Sequence, residues 1–530
     1  MKYPNYNHKE LEAEMLDFWE KQKILDKLRK KNENGKKYYY LDGPPYTSGK
    51  VHMGTAWNKS LKDVSLRYKR SQGLNVWDRG GFDVHGLPTA HKVMAKHDLK
   101  TKEDIEKFGL GKFIKECTAF CLEMADQMVI DFQRMGVSLD YADPYMALKN
   151  DYMEGQWWMI KKAWEKDRLY LGDKSMTWCG NCETALAKHE CEYKLLEEDS
   201  VFLKFQIKDK PNEFLIIWTT TPWTIPYNLA IMVNPNLDYV RAKVEFEDHD
   251  EVWVVGKSLV GPLVQSVVGK ALTVLEEFKG ETLLGTEYVH PWENDIPQIK
   301  ELKKAHPNVH TVLLSEKHVD FTAGSGLVHC APGCGPEDQE VGKEYKIPAF
   351  NNLTEKGEFP KEIGERFAGR IAKKDDKLFI DDMGKDGFLI ATTKVEHDYP
   401  TCWRCHDPVI FKTTKQWFFK IEDLREEMIQ ENAKVNWQPR TQAFDSWTAN
   451  LKDNSITRQR FWGTPVPLWK CTQEDCEEIE VIGSVKELEE KVGKDNVPEN
   501  LHRPWIDDVK WKCKCGKGTM KRIPDILDVW

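Results

Sequence analysis

Residues 43–63 read GPPYTSGKVHMGTAWNKSLKD, and the rest of the chain is organised around them. An apolar run, Tyr38 to Leu41, leads into a loop of two prolines and two glycines, and an amphipathic pattern begins at Thr55. That order predicts a strand, a tight turn and a helix N-terminus. Free backbone N–H groups and the helix dipole at such a terminus favour an anion such as a nucleotide phosphate. His52 stands at the entrance, where a neutral donor can reach charge developing on a transferring phosphate.

Working outward, Leu11, Met15, Phe18 and Leu25 recur at helical spacing, which predicts one amphipathic N-terminal helix packed on the next segment of the chain. Gly73 to Trp77 reads as a second strand and leads into Gly80–Pro88, GGFDVHGLP. A parallel sheet places such a loop at the C-terminal edge of its strands, where open α/β folds bind ligands. Asp83 there suits a ligand ammonium. Phe113, Cys117, Phe120, Met124 and Met128 mark a long helix over 112–135, with Cys117 and Cys121 as core thiols, and 153–167 reads as another helix.

The 530 residues suffice for about three domains. With 77 Lys+Arg against 86 Asp+Glu, the net charge is −9, so any nucleic-acid contact must use local patches. No secretory pattern opens the chain and no apolar run reaches membrane-spanning length, so a cytoplasmic location without membrane contact is expected. Thirteen cysteines in that compartment argue for metal ligands and core thiols rather than disulfides.

Four cysteine half-sites stand along the chain: Cys179/Cys182, Cys402/Cys405, Cys471/Cys476 and Cys513/Cys515. Pairing the first two and the last two gives two four-thiolate sites, which suit structural Zn2+ because no coordination position stays open for catalysis. His189, Cys191 and His406 stand as alternative ligands.

Between the knuckles the texture changes to short β-rich runs, as in a compact β-dominated insert. It contains Trp218–Thr224, WTTTPWT, and Gly324–Asp338, GSGLVHCAPGCGPED. Hydroxyls, the His329 imidazole and the Asp338 carboxylate can grip an ammonium and orient a hydrolytic water without a serine nucleophile. Further on, Gln416–Phe419 reads as a strand and Arg458–Pro465, RQRFWGTP, as a loop over a pocket. The chain stops within an apolar run, DILDVW, which suggests an incomplete sequence.

Together these residues resemble the class I aminoacyl-tRNA synthetases, and among them the isoleucyl branch of archaeal type, over essentially the whole chain. GPPYTSGKVHMGT is similar to the His-Ile-Gly-His loop, with His52, Met53, Gly54 and Thr55 in its four places, Thr55 departing from His. DVHGLP matches the isoleucyl form of its loop, where valyl and leucyl enzymes differ. Phe82 replaces a usual Trp, and Ala90 a common Glu.

The resemblance implies an α/β, Rossmann-like nucleotide-binding fold split by a β-rich editing insertion, with zinc knuckles. Its expected domains are 1–189, the N-terminal helix and first half of the catalytic domain; 190–398, the editing domain; and 399–530, the return to the catalytic domain. His52, Gly54 and Thr55 would serve ATP, with Mg2+. Pro45, Tyr46, Asp83, His85, Gln459, Trp462 and Trp530 would bind substrate, and Thr219, Thr220, Thr221, Trp223, His329 and Asp338 would edit mischarged tRNA. The resemblance also supports the pairing of the zinc half-sites.

The implied reaction activates isoleucine with ATP and transfers it to tRNA(Ile), by a monomer, with hydrolysis of valyl-tRNA. Editing is needed because one missing methylene is worth only about 1–3 kcal/mol, a general figure for which isoleucyl enzymes are themselves the usual example. No Lys-Met-Ser-Lys-Ser equivalent and no helical anticodon-binding domain occur within these residues. The rival readings are a valyl or leucyl enzyme and a non-catalytic zinc-containing tRNA-binding fragment.

Overall fold

The computed structural model describes residues 7–187, 190–437 and 442–528. The chain forms two compact units, 1–170 with 417–530, and 171–416. The second takes in both of the first two cysteine knuckles as well as the β-rich stretch between them. Among the described residues no helix is long and apolar enough to cross a membrane.

The first unit is built from strand–helix–strand steps. Strand Lys37–Tyr39 pairs in parallel with Asn75–Trp77, Tyr38 opposite Val76, and helix Met53–Ser71 makes the crossover. Strand Arg79–Phe82 pairs in parallel with Asp140–Met146. The connection between them includes helix Leu110–Arg134, whose buried residues Phe113, Ile114, Cys117, Cys121, Ala125, Met128 and Phe132 form one stripe, recurring every three or four positions from Ile114 onward. Its cysteines are core thiols, fully enclosed in that stripe. These parallel units are the nucleotide-binding α/β architecture expected from the sequence.

The N-terminus departs from its expected form. It makes two helices, His8–Lys21 and Ile24–Lys31, because Lys23 adopts a left-handed conformation (φ 48°) that ends the first. Met15 and Phe18 face solvent, and contact runs instead through Leu16 and Trp19, whose ring takes the Arg67 guanidinium at 5.1 Å. Of the four residues in the apolar pattern, Leu11 and Leu25 are half-buried and Met15 and Phe18 are exposed.

The second unit is dominated by a nine-stranded mixed sheet. Long strands Cys191–Gln206 and Leu389–Cys402 run antiparallel from Leu203 opposite Leu389 to Cys191 opposite Cys402, so both ends of the insert are zipped together. Strand Val328–Cys330 is central: it lies parallel to Glu213–Thr219 through Val328 and Trp218, and antiparallel to Ala230–Val233 through His329 and Ile231. That register fixes His329 near the end of the strand that carries the threonines.

Candidate active sites and metal centres

In the first unit a cavity of about 200 Å3 is lined by Pro44, Phe82, Asp83, His85, Gly86, Tyr145, Tyr152, Gln156, Arg460, Thr464, Leu527 and Asp528, among others. The proline loop and the Asp83 loop run side by side: Asp83 N–H donates to Pro45 O and Thr47 N–H to Asp83 O, both at 2.9 Å. Tyr46 hydroxyl donates to His85 O. Pro45 through its carbonyl and Tyr46 through its hydroxyl thus brace the Asp83 loop, and the adjacent Pro44 faces the cavity. Gly81 has to be glycine, since a Cβ there would collide with the Tyr145 ring that walls the cavity.

The loop is anchored by Asp42, a fully buried carboxylate held by buried Lys59 and, at 2.8 Å, by Lys62. Lys62 also donates to Gly43 O at 2.9 Å. Both lysines come from the helix that follows the loop, so helix and loop are fastened as one piece. Burial lowers the Lys59 pKa against the opposing pull of Asp42.

Burial pushes the Asp83 carboxyl up to about 6, and Asp528 adds to the rise. A carboxylate so disfavoured gains from an incoming cation. Asp528 itself lies 3.0 Å from Arg458 Nε and 3.8 Å from Arg460.

Behind Asp83, His85 Nε2 is 2.9 Å from His502 Nε2. His502 backbone N–H and Nδ1 both meet Asn500 Oδ1, at 3.0 and 2.7 Å, so Nδ1 is the protonated nitrogen of His502. Burial holds His502 down to about 4 and His85 well below its ordinary value, so both rings are neutral. His85 therefore donates through Nε2 and presents a bare Nδ1 to Thr464 Oγ1 at 3.3 Å. Trp462 is buried behind these rings, stacked on His502 at 5.0 Å with its indole N–H donating to Val84 O at 2.7 Å. Gln459 reaches Asp525 at 3.3 Å rather than the cavity lining.

His52 is the N-cap of helix Met53–Ser71. Its Nδ1 accepts from the backbone N–H groups of Gly54 and Thr55, and Thr55 Oγ1 lies 3.2 Å from Nε2. The ring is exposed, at the helix end that faces solvent. Trp530 and His189 lie outside the described residues.

In the second unit, Thr219 and Thr221 hydroxyls are 3.1 Å apart, and Thr221 and Thr224 hydroxyls 3.3 Å. His329 Nε2 is 2.8 Å from Thr224 Oγ1, and its Nδ1 is 3.3 Å from Asn228 Nδ2. Thr220 is half-buried between its neighbours in the chain, whereas Trp223 is buried in the main core of the unit. Asp338, in the first turn of helix Pro336–Glu344, accepts from Ala331 N–H at 2.9 Å, and burial pushes its carboxyl up to about 7. Thr224 and Asn228 join the cluster from the turn after the threonine strand. Their spacing from Thr221 was the available sign of this.

The eight cysteines of the four half-sites form two clusters, Cys179, Cys182, Cys402 and Cys405, and Cys471, Cys476, Cys513 and Cys515, with sulfurs in each within 4.8 Å of one another. Cys179 to Cys405 is 3.4 Å and Cys182 to Cys402 4.0 Å; in the second cluster Cys471 to Cys515 and Cys476 to Cys513 are both 3.8 Å. A tetrahedron with Zn–S bonds of about 2.3 Å has edges of about 3.8 Å, so both clusters fit a zinc ion. Cys191 and His406 stand aside, with partners Ala187 O and Glu192.

Residues 14–530 match the family model described as tRNA synthetases class I (I, L, M and V). The chain is 42% identical to an isoleucine–tRNA ligase of Methanocaldococcus jannaschii, across 99% of this chain and 51% of that protein. It is 40% identical to the isoleucine–tRNA ligase of Pyrococcus horikoshii, across 100% and 51%, and 41% identical to that of Archaeoglobus fulgidus, across 99% and 50%. The chain spans about half the length of the curated relatives it matches.

Proposed function

The chain belongs to the class I tRNA synthetases of the I, L, M and V group, and from that premise we propose that its chemistry is that of an isoleucine–tRNA ligase with a hydrolytic editing site. The observation that carries the activation half is Asp83, a carboxyl in a 200 Å3 cavity with its pKa pushed up to about 6. An amino-acid ammonium beside it restores the charged form. Thr464 Oγ1, which donates its hydrogen to His85, adds a second acceptor toward the same ammonium. Pro44, Gly86 and the aromatic wall of Tyr145 and Tyr152 leave room for an aliphatic side chain.

The helix at His52 and Gly54 would hold the phosphates of ATP, with Mg2+, so that the amino-acid carboxylate attacks the α-phosphorus and pyrophosphate leaves. Such transfer depends on positioning and charge stabilisation. The Asp42–Lys59 anchor supplies positioning by holding loop and helix together. The partner is tRNA(Ile), the protein acts as a cytoplasmic monomer, and the threonine–His329–Asp338 group removes valine from mischarged tRNA. The two four-thiolate clusters would hold zinc as a structural brace.

Calorimetric titration with non-hydrolysable aminoacyl-adenylate mimics tests the activation half. Isoleucyl mimic binding more tightly than valyl or leucyl mimics, and weakened in Asp83→Asn, is the expected result. Preference for valyl or leucyl would transfer the assignment to that enzyme, and absence of binding to all three would overturn it.

A further inference from the structure

His329 sits in a run of hydrogen bonds whose direction is forced at both ends by groups that act in one sense only. On one side, an Asn228 amide atom faces Ala230 O at 2.9 Å. A carbonyl oxygen only accepts, so that atom is the NH2 group, and the other amide atom, Oδ1, takes the Tyr288 hydroxyl at 2.5 Å. The same NH2 lies 3.3 Å from His329 Nδ1, which has to be the bare, accepting nitrogen.

On the other side, Thr224 Oγ1 is 2.7 Å from Thr221 O, again an acceptor only. The single hydroxyl hydrogen of Thr224 is therefore committed, and a lone pair meets His329 Nε2 at 2.8 Å. Nε2 carries the hydrogen. The two ends assign the ring independently, and they agree.

We infer that Tyr288 and Asn228 are positioning residues that hold His329 as the neutral Nε2–H tautomer, so that the imidazole serves the threonine cluster as a fixed donor and not as a proton acceptor. A proton on Nδ1 would point at the Asn228 NH2 group, so the geometry resists the imidazolium form as well. The surroundings act in the same direction: burial holds His329 down to about 4. Nearby His290 has both nitrogens occupied, Nε2 donating to Ile225 O and Nδ1 accepting from Trp292 N–H, each at 3.0 Å. His310 stacks on His290 at 5.3 Å, and burial keeps its pKa well below the ordinary value. Asp338 is held by Ala331 N–H. Thr224, its hydrogen committed, can only accept from Thr221. No proton is drawn from the threonine hydroxyls toward this histidine.

The functional consequence rests on the editing reading, but the tautomer does not. The full chain labelled with 15N-histidine, His329 assigned through His329→Gln, is observed by two-bond 1H–15N spectra from about pH 5 to about pH 8, where an ordinary histidine titrates. The expected signal is an unchanging Nε2–H pattern. Tyr288→Phe, which removes one hydroxyl and keeps the ring, is expected to give mixed tautomers and to lower kcat for valyl-tRNA hydrolysis about tenfold at unchanged KM, the effect of one lost hydrogen bond. Thr224→Val, acting at the opposite end, is expected to give the same mixed pattern. A titrating or Nδ1–H ring in the unaltered chain, or unaltered spectra in both variants, would overturn the inference. The expected spectra without any valyl-tRNA hydrolysis would uphold the tautomer and sink the editing reading.

Discussion

His52 Nδ1 accepts the backbone N–H groups of both Gly54 and Thr55, at 3.1 and 3.3 Å, so the imidazole itself caps the helix that the sequence assigns to a phosphate. Two of the free donors are already engaged, and a nucleotide has to use the remaining helix end or displace the ring. His52→Ala is expected to lower the unfolding free energy by about 1 kcal/mol, the cost of a lost N-cap, while His52→Asn restores it. Urea unfolding reads this directly. If the ring also serves ATP, His52→Asn recovers stability without recovering affinity for an adenylate mimic.

Asp83 gives the site a pH signature. Its carboxyl is pushed from 3.8 to about 6, so the folded protein keeps this proton to higher pH than the unfolded chain does. The stabilising contribution is complete below about pH 4 and is lost as the pH rises to about 6. An ammonium ligand prefers the carboxylate, so its affinity should rise across the same window, by at most about tenfold per pH unit, and level off above it. Calorimetry of the isoleucyl-adenylate mimic at several pH values checks this, with Asp83→Asn expected to flatten the profile.

What the sequence made legible here followed locality. Asp83 and His85 share one short glycine-bounded loop, and each cysteine half-site is set by spacing within a few residues, so residue type and spacing pointed to them. Thr464, Asp528 and His502 reach the first site from segments hundreds of residues away; the RQRFWGTP stretch marked a pocket loop without singling out Thr464, and nothing local marks Asp528 or His502. Trp462 and Trp223 each stand in a motif-like stretch, and the fold buries one behind the His85–His502 pair, with its indole N–H on Val84 O, and the other in the core. At the N-terminus periodicity fixes a helix, but tertiary contact at Leu16 and Trp19 decides which of its residues are covered.

The two metal centres should separate under a single substitution. A Cβ on Gly518 would collide with Cys471 Sγ, so Gly518→Ala is expected to disable that centre and leave the Cys179 centre loaded. Elemental analysis of purified protein should fall from two zinc ions to one per chain. Two ions retained in Gly518→Ala would contradict the four-thiolate assignment of the second cluster.

The Asp42 anchor sets a stability expectation. Lys59→Met removes the buried partner of a buried carboxylate and leaves Lys62 alone to compensate. A loss of about 3 kcal/mol in urea unfolding is expected, the scale for breaking a buried pair from one side. A loss below about 1 kcal/mol, the range of exposed pairs, would show that Lys62 suffices to hold the loop.

The most direct measurement compares valyl-tRNA(Ile) and isoleucyl-tRNA(Ile) incubated with the purified chain and with its Asp338→Ala variant. The unaltered chain is expected to hydrolyse the valyl ester and spare the isoleucyl ester, and the variant to leave both intact. Equal survival of valyl-tRNA(Ile) with chain and variant, or equal loss of the two esters, would contradict it.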